Sequence, residues 1–376
     1  MKLKITTILG TRPEIIRLSC LIRKMDLVFD QRVVHTGQNF DQHLSNAFFD
    51  ELDIRTPNLF LQTRAETFGS FLASMLEGIE AELTEHRPDA VVILGDTNSA
   101  LSGIVAKRMG IPIYHLEAGN RSFDPNVPEE VNRKVVDHLA DFNLAYTKLA
   151  RENLIKEGLH PRYLTIIGSP LKEVFDTNLH RIKESKVLER LSLRKNEFFL
   201  VSAHRQENID SPSRLRVLTD SLDAVAEQYG LPVVLSTHPR LKSKLEQQNE
   251  TVANPLLQFH SPFGFIDYSS LQMNARLVIS DSGSISEEAA ILGFNAITIR
   301  DSMERPEALE KGSILMSGLN VTGVLESISI AETLEAPSEI PDEYLVSDTS
   351  RRVISFISST IRQHSFWSGL RTNHDH

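Results

Sequence analysis

The feature that most constrains the fold is a regular alternation of short apolar runs with amphipathic segments, which occurs twice along the 376 residues. In the first half the apolar runs predict strands at residues 4–9, 32–36, 90–94, 111–116, 142–146 and 163–167. Between them, apolar residues recur three and four positions apart, as Phe68, Phe71 and Met75 do, and this spacing predicts helices. Strands that alternate with helices in this way form a parallel sheet covered by helices.

The same pattern restarts after residue 168, with strands predicted at residues 198–204, 232–238, 257–260, 276–280 and 295–299. We therefore predict an α/β protein of two doubly wound, Rossmann-like domains, residues 1–168 and residues 169–350. A chain of this length exceeds the usual size of one domain, which agrees with that division. The last periodic segment, residues 351–366, predicts a helix that completes the first domain, and residues 367–376 are expected to form a mobile tail.

Composition limits the classes of ligand. The chain has 50 acidic against 40 basic side chains, a net charge of −10, which argues against binding to nucleic acid or to an anionic membrane. The single cysteine, Cys20, excludes an internal disulfide framework and supplies no metal-thiolate cluster. No apolar stretch is long enough to span a bilayer, and the N-terminus has the pattern of a strand, so we expect a cytoplasmic protein.

The stretches richest in chemically active side chains all begin where a predicted strand ends. They are GTRPEIIR (10–17), GDTNSA (95–100), EAGNRSFDPNVPEEVNR (117–133), HRQEN (204–208), HPR (238–240) and DSGS (281–284). Ligands of open parallel sheets bind beyond the carboxyl ends of the strands. The positions therefore predict one ligand site, in a cleft that both domains line.

The DSGS turn indicates what kind of ligand binds. Ser282, Gly283 and Ser284 present backbone N–H groups at a helix start, where the helix dipole favours an anion such as a diphosphate. Glu288, one turn later, is placed to accept from ribose hydroxyls, although Glu287 and Glu288 could simply stabilise the helix start. The chain has neither a Walker lysine nor a G-x-G-x-x-G motif, so ATP and NAD lack their usual signatures.

Each motif also has a structural explanation. Asp96 could be only a helix N-cap, and His204 a histidine whose hydrogen bonds are satisfied. Glu130 and Arg133, three positions apart, could be a surface pair worth about 0.2–0.5 kcal/mol. Tyr268 fits a core position as well as a place beside a base. These alternatives stay open at the level of single motifs.

Taken together, the motifs resemble the non-hydrolysing UDP-N-acetylglucosamine 2-epimerases. The elements are GTRPE, TGQ, GDT, EAG, PEE-x-NR, HR-x-EN, HP, DSG-x-x-x-EE and ERPE, in that order over about residues 5–310. The resemblance implies a glycosyltransferase-B-like architecture with UDP bound by the second domain, a homodimer, and neither metal nor other cofactor. It implies inversion at C2 of a UDP-N-acetylhexosamine, through anti elimination of UDP to a 2-acetamidoglucal and re-addition of UDP.

Within the family, EAGNRSFD, VSAHRQENID, STHPR and GFIDYSSLQMNAR are most similar to the branch that forms UDP-N-acetyl-L-fucosamine. That branch inverts C2 of UDP-2-acetamido-2,6-dideoxy-L-talose for capsule or O-antigen synthesis. The chain departs from the mainstream pattern at Arg17, at Ser284 and at Gln206. Its EAGNR and MERPE contexts differ from the mainstream EAGLR and TERPE, which agrees with a different sugar. The alternatives are interconversion of UDP-N-acetylglucosamine and UDP-N-acetylmannosamine, a glycosyltransferase of the same architecture, and a UDP-sugar sensor without activity.

The resemblance also implies roles for individual residues. Asp96, Glu117 and Glu129 would form the catalytic acidic cluster, and His204 would stabilise or protonate the leaving diphosphate. Gln38 and His238 match positions associated with regulation by a second UDP-sugar. Contacts to the UDP-sugar are implied for Arg12, Arg17, Arg133, Tyr268, Ser282, Gly283, Ser284, Glu288 and Arg305.

Overall fold

The computed structural model describes residues 2–38, 48–63, 67–236, 254–334 and 339–369, without the side chains of Gln206 and Glu207. The chain divides into two compact units: Met1–Val174 with Leu345–His376, and Phe175–Tyr344. Each unit is a single parallel sheet with helices packed on it, so the predicted α/β fold with two doubly wound domains is confirmed. No helix in these described ranges is long and apolar enough to cross a membrane.

The first unit contains a seven-stranded parallel sheet in the order β3-β2-β1-β4-β5-β6-β7. Its strands are β1 Lys4–Leu9, β2 Asp30–His35, β3 Leu59–Phe60, β4 Ala90–Leu94, β5 Ile113–Leu116, β6 Phe142–Ala145 and β7 Leu164–Ile166. The two-residue edge strand β3 is not predicted from the sequence because it is short and half-buried. Most residues of the other strands are buried, since helices cover both faces of the sheet.

The helices of this unit follow the strands in alternation. They are α1 Arg12–Val28, α2 Phe68–His86, α3 Gly103–Arg108, α4 Pro128–Leu139, α5 Lys148–Lys156 and α6 Pro170–Glu184. The start of α2 is fixed by a capping box, in which the Thr67 side chain accepts from the Ser70 N–H and the Ser70 hydroxyl accepts from the Thr67 N–H. On one face of the sheet, Ile8 and Val34 pack with Met75 of α2 in a shared apolar cluster.

The boundary between the units lies inside helix α6, later than the expected joint at residue 168. The first turn of this helix is held in the first unit by Glu173, which accepts from the Ser350 N–H and hydroxyl at 2.8 Å each. Glu173 also pairs with Lys24 at 2.5 Å. These contacts keep the start of the helix with the first sheet, so the chain changes units after Val174.

The C-terminal segment returns to the first unit as α14 Thr349–Thr360 and α15 His364–Trp367. Thr360 Oγ1 lies 2.8 Å from the Tyr114 hydroxyl, and the Tyr163 hydroxyl donates to the Trp367 carbonyl at 3.0 Å. The expected tail was placed from residue 367, but Trp367 ends a helix and packs its ring against Phe142. Residues 370–376 lie outside the described residues.

The second unit contains a six-stranded parallel sheet in the order β10-β9-β8-β11-β12-β13. Its strands are β8 Phe199–Ser202, β9 Val233–Ser236, β10 Leu257–His260, β11 Leu277–Ser280, β12 Ala296–Thr298 and β13 Leu315–Met316. Its helices are α7 Val187–Arg190, α8 Gln206–Ile209, α9 Pro212–Tyr229, α10 Phe265–Asn274, α11 Ile285–Leu292, α12 Glu307–Glu310 and α13 Val321–Thr333. Alternate residues serve opposite faces, because Val201 and Leu200 of β8 belong to two different apolar clusters.

Both sheets have a switch point, where the strand order reverses: β1 pairs with β4 in one sheet, and β8 pairs with β11 in the other. Crossover connections leave each sheet in opposite directions there, which opens a crevice at the carboxyl ends of the paired strands. The segments that begin at Gly10, Gly95, His204 and Asp281 occupy these ends. The fold thus places the motifs named above where such sheets bind ligands.

Gly10 ends β1 in a space too small for any side chain. A Cβ at this residue would lie 2.0 Å from Thr36 Oγ1 and 2.1 Å from Ser99 Oγ, which are themselves 2.7 Å apart. Ser99 Oγ also donates to Gln38 Oε1 at 3.0 Å. The carboxyl ends of β1, β2 and β4 are therefore joined by buried hydroxyl contacts that a larger residue would break.

Glu14, one turn into α1, accepts hydrogen bonds at the same junction of strand ends. Its carboxylate accepts from the Gly10 N–H at 2.9 Å, from the Thr11 hydroxyl at 2.8 Å and from the Thr97 hydroxyl at 3.0 Å. Burial raises the pKa of Glu14 from 4.5 to about 7, although hydrogen bonds from Thr11, Gly10 and Thr97 oppose the shift. This side chain links the segment after β1 to the segment after β4.

We expect Gly10→Ala to lower the free energy of unfolding by about 1–3 kcal/mol, because the new methyl group overpacks a buried junction. Gly69→Ala is the matched control, since nothing lies within 4 Å of a Cβ at that helical position. Thermal unfolding of both variants measures the difference. Equal melting temperatures for the two variants would contradict the packing argument.

We expect Glu14 to make stability fall as pH rises from about 4.5 to about 7. The folded carboxyl keeps its proton over this interval while the unfolded chain releases it, so deprotonation favours unfolding. Glu14→Gln removes this titration. Over the same pH interval, the free energy of unfolding of the wild type should fall by up to about 3 kcal/mol more than that of Glu14→Gln. Denaturant titrations across the interval test this, with the exposed Glu77→Gln as control. Parallel curves for wild type and Glu14→Gln would rule it out.

Candidate active site

Asp96 follows β4 and is held by a buried arginine. Arg133, on α4, reaches Asp96 Oδ2 with Nε at 2.7 Å and with Nη2 at 2.6 Å. Its Nη1 donates to Glu130 Oε2 at 3.0 Å. Arg133 and Glu130 are only 4% and 2% exposed, so the alternative of a surface pair is excluded. Both side chains instead fix the position of the Asp96 carboxylate.

The N-cap interpretation of Asp96 is also excluded. The short 3₁₀ helix that follows, Asn98–Ser102, has Thr97 at its N-cap position. The Asp96 backbone is held separately, because Asn132 Nδ2 donates to the Asp96 carbonyl at 2.9 Å. Asn132 also contacts Asn98 Oδ1 at 3.2 Å. Asn132 was not predicted as a site residue, although it belongs to the PEE-x-NR motif.

Glu117 lies next to this segment, at the end of β5. Its φ of +68° lies in the left-handed region, which costs a non-glycine residue about 1–3 kcal/mol and is found mostly at functional sites. A Cβ built on Gly95 would lie 3.7 Å from Glu117 Oε2, so this carboxylate sits beside the residue that precedes Asp96. Arg17 Nε lies 3.7 Å from the same oxygen. The structure therefore brings Glu117 together with Arg17 and with the residue that precedes Asp96.

Glu129 is placed on the same helix as Arg133, half-buried in the first turn of α4. It takes no part in the hydrogen bonds that hold Asp96 and Glu117. Its neighbour Glu130 has the buried position, where it accepts from the Ser122 N–H at 2.9 Å and hydroxyl at 3.0 Å. Of the two adjacent acids, Glu130 is therefore the one that the protein holds by hydrogen bonds.

Arg12 and Gln38 lie beyond the ends of β1 and β2. Arg12 opens α1, half-buried, with its guanidinium carbon 5.7 Å from the centre of the Phe48 ring. Gln38 Oε1 accepts from the Ser99 N–H at 3.1 Å, so Gln38 has a structural contact at the switch point. The other candidate regulatory residue, His238, lies outside the described residues.

In the second unit, Asp281 organises the segment that carries His204. The fully buried Asp281 carboxylate accepts from the His204 N–H at 3.0 Å, from the Arg205 N–H at 3.0 Å and from Asn208 Nδ2 at 3.0 Å. Its Oδ1 also lies 3.2 Å from His204 Nδ1. Burial alone would raise the pKa of Asp281, but the His204 charge and these hydrogen bonds lower it to about 2.

Asp281 was not predicted as a site residue, because the glycine turn after it already accounts for an anion site. The available signal was a single acid between an apolar strand and a small-residue turn, opposite the HR-x-EN segment at the switch point. The contact orients His204, whose side chain is 50% exposed, with Nδ1 toward Asp281. The other ring nitrogen is thereby left to face a ligand.

The turn Ser282–Ser284 is closed by its own hydroxyl groups. The Ser282 N–H donates to Ser280 Oγ at 3.0 Å, and the Ser284 N–H donates to Ser282 Oγ at 3.3 Å. The expectation that these two N–H groups are free for an anion is therefore wrong in this structure, because neighbouring hydroxyls accept from them. Ser284 Oγ in turn donates to Glu288 Oε1 at 2.6 Å.

Gly283 is required by its surroundings. A Cβ there would lie 2.2 Å from Glu304 Oε1 and 3.1 Å from Arg305 Nη1. Arg305 Nη1 donates to the Gly283 carbonyl at 2.8 Å, and Arg305 Nε lies 3.5 Å from the buried Glu287. Arg305 is 5% exposed, so it supports the turn from behind.

Glu288 and Tyr268 lie side by side across α10 and α11. Glu288 Oε2 accepts from Gln272 Nε2 at 2.6 Å, which sets the orientation of the carboxylate. Burial raises the pKa of the Tyr268 phenol, and the negative charge of Glu288 adds to the shift. Tyr268 is half-buried and packs on the apolar cluster that contains Leu200. Tyr268 therefore packs in the core of the second unit, and its hydroxyl lies near Glu288.

Metal binding has no obvious location in the described part of the chain, where no three His, Cys, Asp or Glu side chains are arranged to hold an ion. The functional groups are instead carboxylates, arginines, a histidine and a glycine turn. Such a set can move protons, stabilise a cationic sugar ring and receive an anionic leaving group.

Comparison with known proteins identifies a family. The sequence model described as UDP-N-acetylglucosamine 2-epimerase matches residues 23–358. The solved structure of UDP-N-acetylglucosamine 2-epimerase from Rickettsia bellii is 38% identical, with a TM-score of 0.90 over 97% of this chain and 98% of that one. The Methanocaldococcus jannaschii UDP-GlcNAc 2-epimerase, solved with UDP-GlcNAc and UDP, is 32% identical, with a TM-score of 0.87 over 95% of this chain and 99% of that one.

A relative that acts on another sugar is also similar. The UDP-2,3-diacetamido-2,3-dideoxy-D-glucuronate 2-epimerase of Pseudomonas aeruginosa is 30% identical over 361 residues, which is 95% of this chain and 99% of that protein. The similarity to these proteins spans both units and the motifs described above. The chain therefore belongs to the UDP-N-acetylglucosamine 2-epimerase family, a family of isomerases.

Proposed function

We propose that the protein inverts C2 of a UDP-N-acetylhexosamine by eliminating UDP and adding it back, through a 2-acetamidoglucal intermediate. The observation that carries this proposal is that the Glu117 carboxylate lies beside Gly95, the residue that leads into Asp96 after β4. Two carboxylates with a nearby arginine suit a reaction that moves a proton at one carbon while positive charge builds at the next. UDP-sugar 2-epimerase chemistry agrees with the family of the chain.

The chemistry explains why carboxylates are needed. The C2 hydrogen is not next to a carbonyl, so it becomes acidic only as the C1–O bond breaks and the ring gains oxocarbenium character. A carboxylate then takes the C2 proton, the C1–O electrons leave with UDP, and a C1=C2 double bond forms. Reprotonation of C2 from the other face and attack of the UDP oxygen on C1 complete the inversion. Proton transfers of this kind are typically worth about 10²–10⁴-fold each.

Asp96, Glu117 and Glu129 are the acids that we assign to these steps. Asp96 and Glu117 are fixed in place, by Arg133 and by the strained turn after β5 respectively. Glu129 is half-buried on the same helix as Arg133.

The second unit would receive the nucleotide. His204, oriented by Asp281, is placed to donate a proton or a hydrogen bond to departing UDP. We assign the diphosphate to the turn of Ser282, Gly283 and Ser284. The hydroxyls of Ser282 and Ser284 contact each other at 2.9 Å. Rotation of these hydroxyls would let them donate to phosphate oxygens instead. Glu288 would bind the ribose and Tyr268 the region of the uracil.

The arginines divide into two groups. Arg133 and Arg305 are almost fully buried and donate to protein oxygens, so we assign them to positioning Asp96 and Gly283. Arg12, half-buried at the start of α1, is the better candidate for contact with phosphate oxygens. Arg17 would act through Glu117. Regulation through Gln38 and His238 stays a prediction.

For the substrate we propose UDP-2-acetamido-2,6-dideoxy-L-talose, with UDP-N-acetyl-L-fucosamine as product. Support comes from the branch motifs and from Ser284, which stands where the mainstream sequence has a second glycine. UDP-N-acetylglucosamine is the second candidate, because the Methanocaldococcus jannaschii relative was solved with UDP-GlcNAc. A homodimer, a cytoplasmic location and a place in capsule or O-antigen synthesis stay predictions that go with this choice.

The substrate is tested by incubating the purified protein with each UDP-sugar in deuterium oxide. We expect deuterium at C2 of the L-talo sugar and of its epimer, because the proton is lost and then taken up from solvent. Proton NMR and mass spectrometry measure the label. The same samples report whether free UDP accumulates, which a hydrolysing enzyme would produce.

Three results would change the assignment. Label in UDP-N-acetylglucosamine, with none in the L-talo sugar, would replace the substrate. Sugar transfer that needs an acceptor, with no label in its absence, would indicate a glycosyltransferase. Absence of label from both sugars, with no other turnover, would favour a sensor.

We expect Glu117→Gln to lower kcat by about 10²–10⁴-fold, because it removes a carboxylate beside the reacting carbons. Affinity for UDP should be unchanged, since the proposed nucleotide groups lie in the other unit. Steady-state kinetics and calorimetric titration with UDP measure the two effects. The exposed Glu80→Gln serves as control and should match the wild type. Full activity in Glu117→Gln would remove Glu117 from the mechanism.

A further inference from the structure

A buried ionic network lies directly behind Asp96 and Glu117, and none of its members has a role in the chemistry proposed above. Its centre is His115 on β5, which is 1% exposed. His115 Nδ1 lies 3.0 Å from Asp137 Oδ1, and Asp137 Oδ2 lies 2.7 Å from Arg121 Nη1. Asp137 and Arg121 are 0% and 2% exposed. Charged groups so deeply buried are tolerated only when they are paired.

The partners of the imidazole fix its protonation state. His115 Nε2 faces the Gly95 carbonyl oxygen at 2.8 Å, and Nδ1 faces Asp137 Oδ1 together with Asn143 Oδ1 at 3.3 Å. The Asn143 amide nitrogen donates elsewhere, to the Asp137 carbonyl at 2.9 Å, so its oxygen is the atom turned to the ring. All three neighbours of the ring nitrogens are acceptors. Each nitrogen must therefore carry a hydrogen, which makes the ring an imidazolium.

The electrostatics of the site agree with this assignment. Burial alone would lower the pKa of His115, but the hydrogen bond and charge of Asp137, with the contacts to Gly95 and Asn143, raise it above the ordinary value. The network also balances its charge. Arg121 donates to Glu157 at 2.7 Å and 2.6 Å, so two cations face two anions.

The network holds both segments that carry the catalytic acids. His115 donates to the carbonyl of Gly95, the residue before Asp96, and the Gly95 N–H donates to the Leu116 carbonyl at 2.9 Å. On the other side, the Gly119 N–H donates to Asp137 at 3.2 Å, two residues after Glu117. A single buried cation thus ties the Gly95–Asp96 peptide to the turn that contains Glu117.

We propose that His115 is a positioning residue, a permanently charged imidazolium that fixes the Asp96 segment against the Glu117 segment; this role rests on the proposed function. The charge-assisted hydrogen bond to Gly95 orients the peptide that leads into Asp96. Proton transfer at C2 depends on where the carboxylates lie, and a displacement of about 1 Å in such a site can cost on the order of 10²-fold in rate. His115 touches neither substrate nor reacting atoms in this assignment.

Two variants separate the hydrogen bond to the Gly95 carbonyl from the positive charge of His115. In His115→Asn the amide replaces Nδ1 and keeps a donor toward Asp137, but it cannot reach Gly95. In His115→Gln the amide replaces Nε2 and keeps the donor to the Gly95 carbonyl. Both variants lose the same positive charge, so each controls for the other. Thermal unfolding of both reports whether their folds are equally retained.

We expect kcat of His115→Asn to fall on the order of 10²-fold while His115→Gln keeps most of the activity, with KM changed little in either variant. Deuterium uptake at C2 of the UDP-sugar measures the proton transfer directly. If the wild type is active and both variants lose kcat equally, the positioning role is overturned, since a purely structural effect or a charge effect would not distinguish the two variants.

A second measurement does not depend on activity. Nitrogen-15 NMR of histidine-labelled wild-type protein at about pH 8, above the ordinary histidine pKa of ~6.5, reports whether His115 carries hydrogens on both nitrogens. The resonance is identified by its loss in His115→Asn. A neutral ring would overturn the inference. An intact imidazolium in a wild-type protein that exchanges no C2 hydrogen would instead overturn the proposed function.

Discussion

Parallel pairing of a strand with one far along the chain, β1 with β4 and β8 with β11, is the constraint on which the rest of the structure depends. It sends the crossover helices to opposite sides and opens a crevice at the carboxyl ends of the paired strands. The segments that begin at Gly10, Gly95, His204 and Asp281 lie at these ends. The packing there is tight enough that Gly10 and Gly283 have no room for a Cβ.

Buried charges behind these ends then set the positions of the functional side chains. Asp96 depends on Arg133, His204 depends on Asp281, and the segment before Asp96 depends on His115. Each supporting group is less than 5% exposed, so its hydrogen bonds are screened little by solvent. Such pairs add little net stability, because desolvation offsets much of their attraction. What they provide is a defined geometry, which a reaction at two adjacent sugar carbons requires.

Much of this could be predicted from the sequence, for reasons that particular elements illustrate. Strands such as β4 and β8 are short, continuous apolar runs, and their periodicity is visible without tertiary information. Edge strands β3 and β13 have two residues each, too few for any periodicity, and neither was predicted. The boundary between units was placed too early, because the contacts of Glu173 with Ser350 join residues far apart in sequence.

The candidate site divides in the same way. Sequence position selected the segments that begin at Gly95, Glu117 and His204, since each follows a predicted strand, and the family resemblance implied roles for Asp96, Glu117 and His204. Sequence position could not show whether Glu130 and Arg133 form a surface pair or a buried pair, because their burial depends on how α4 packs against the segment after β4. Asp281 and His115 were missed for a related reason. Pairing of strands brings them to their partners, His204 and Gly95, which lie 77 and 20 positions away in the sequence.

The sequence by itself thus determined the type of each element, the repetition of the α/β pattern and the side chains that end the strands. Periodicity and residue chemistry are local properties, and they need no partner to be recognised. The tertiary structure alone decided which of those side chains are buried, which are paired and which are left to meet a ligand. Hydrogen bonds and ion pairs in this site join residues 37 and 77 positions apart, and only folding sets such distances.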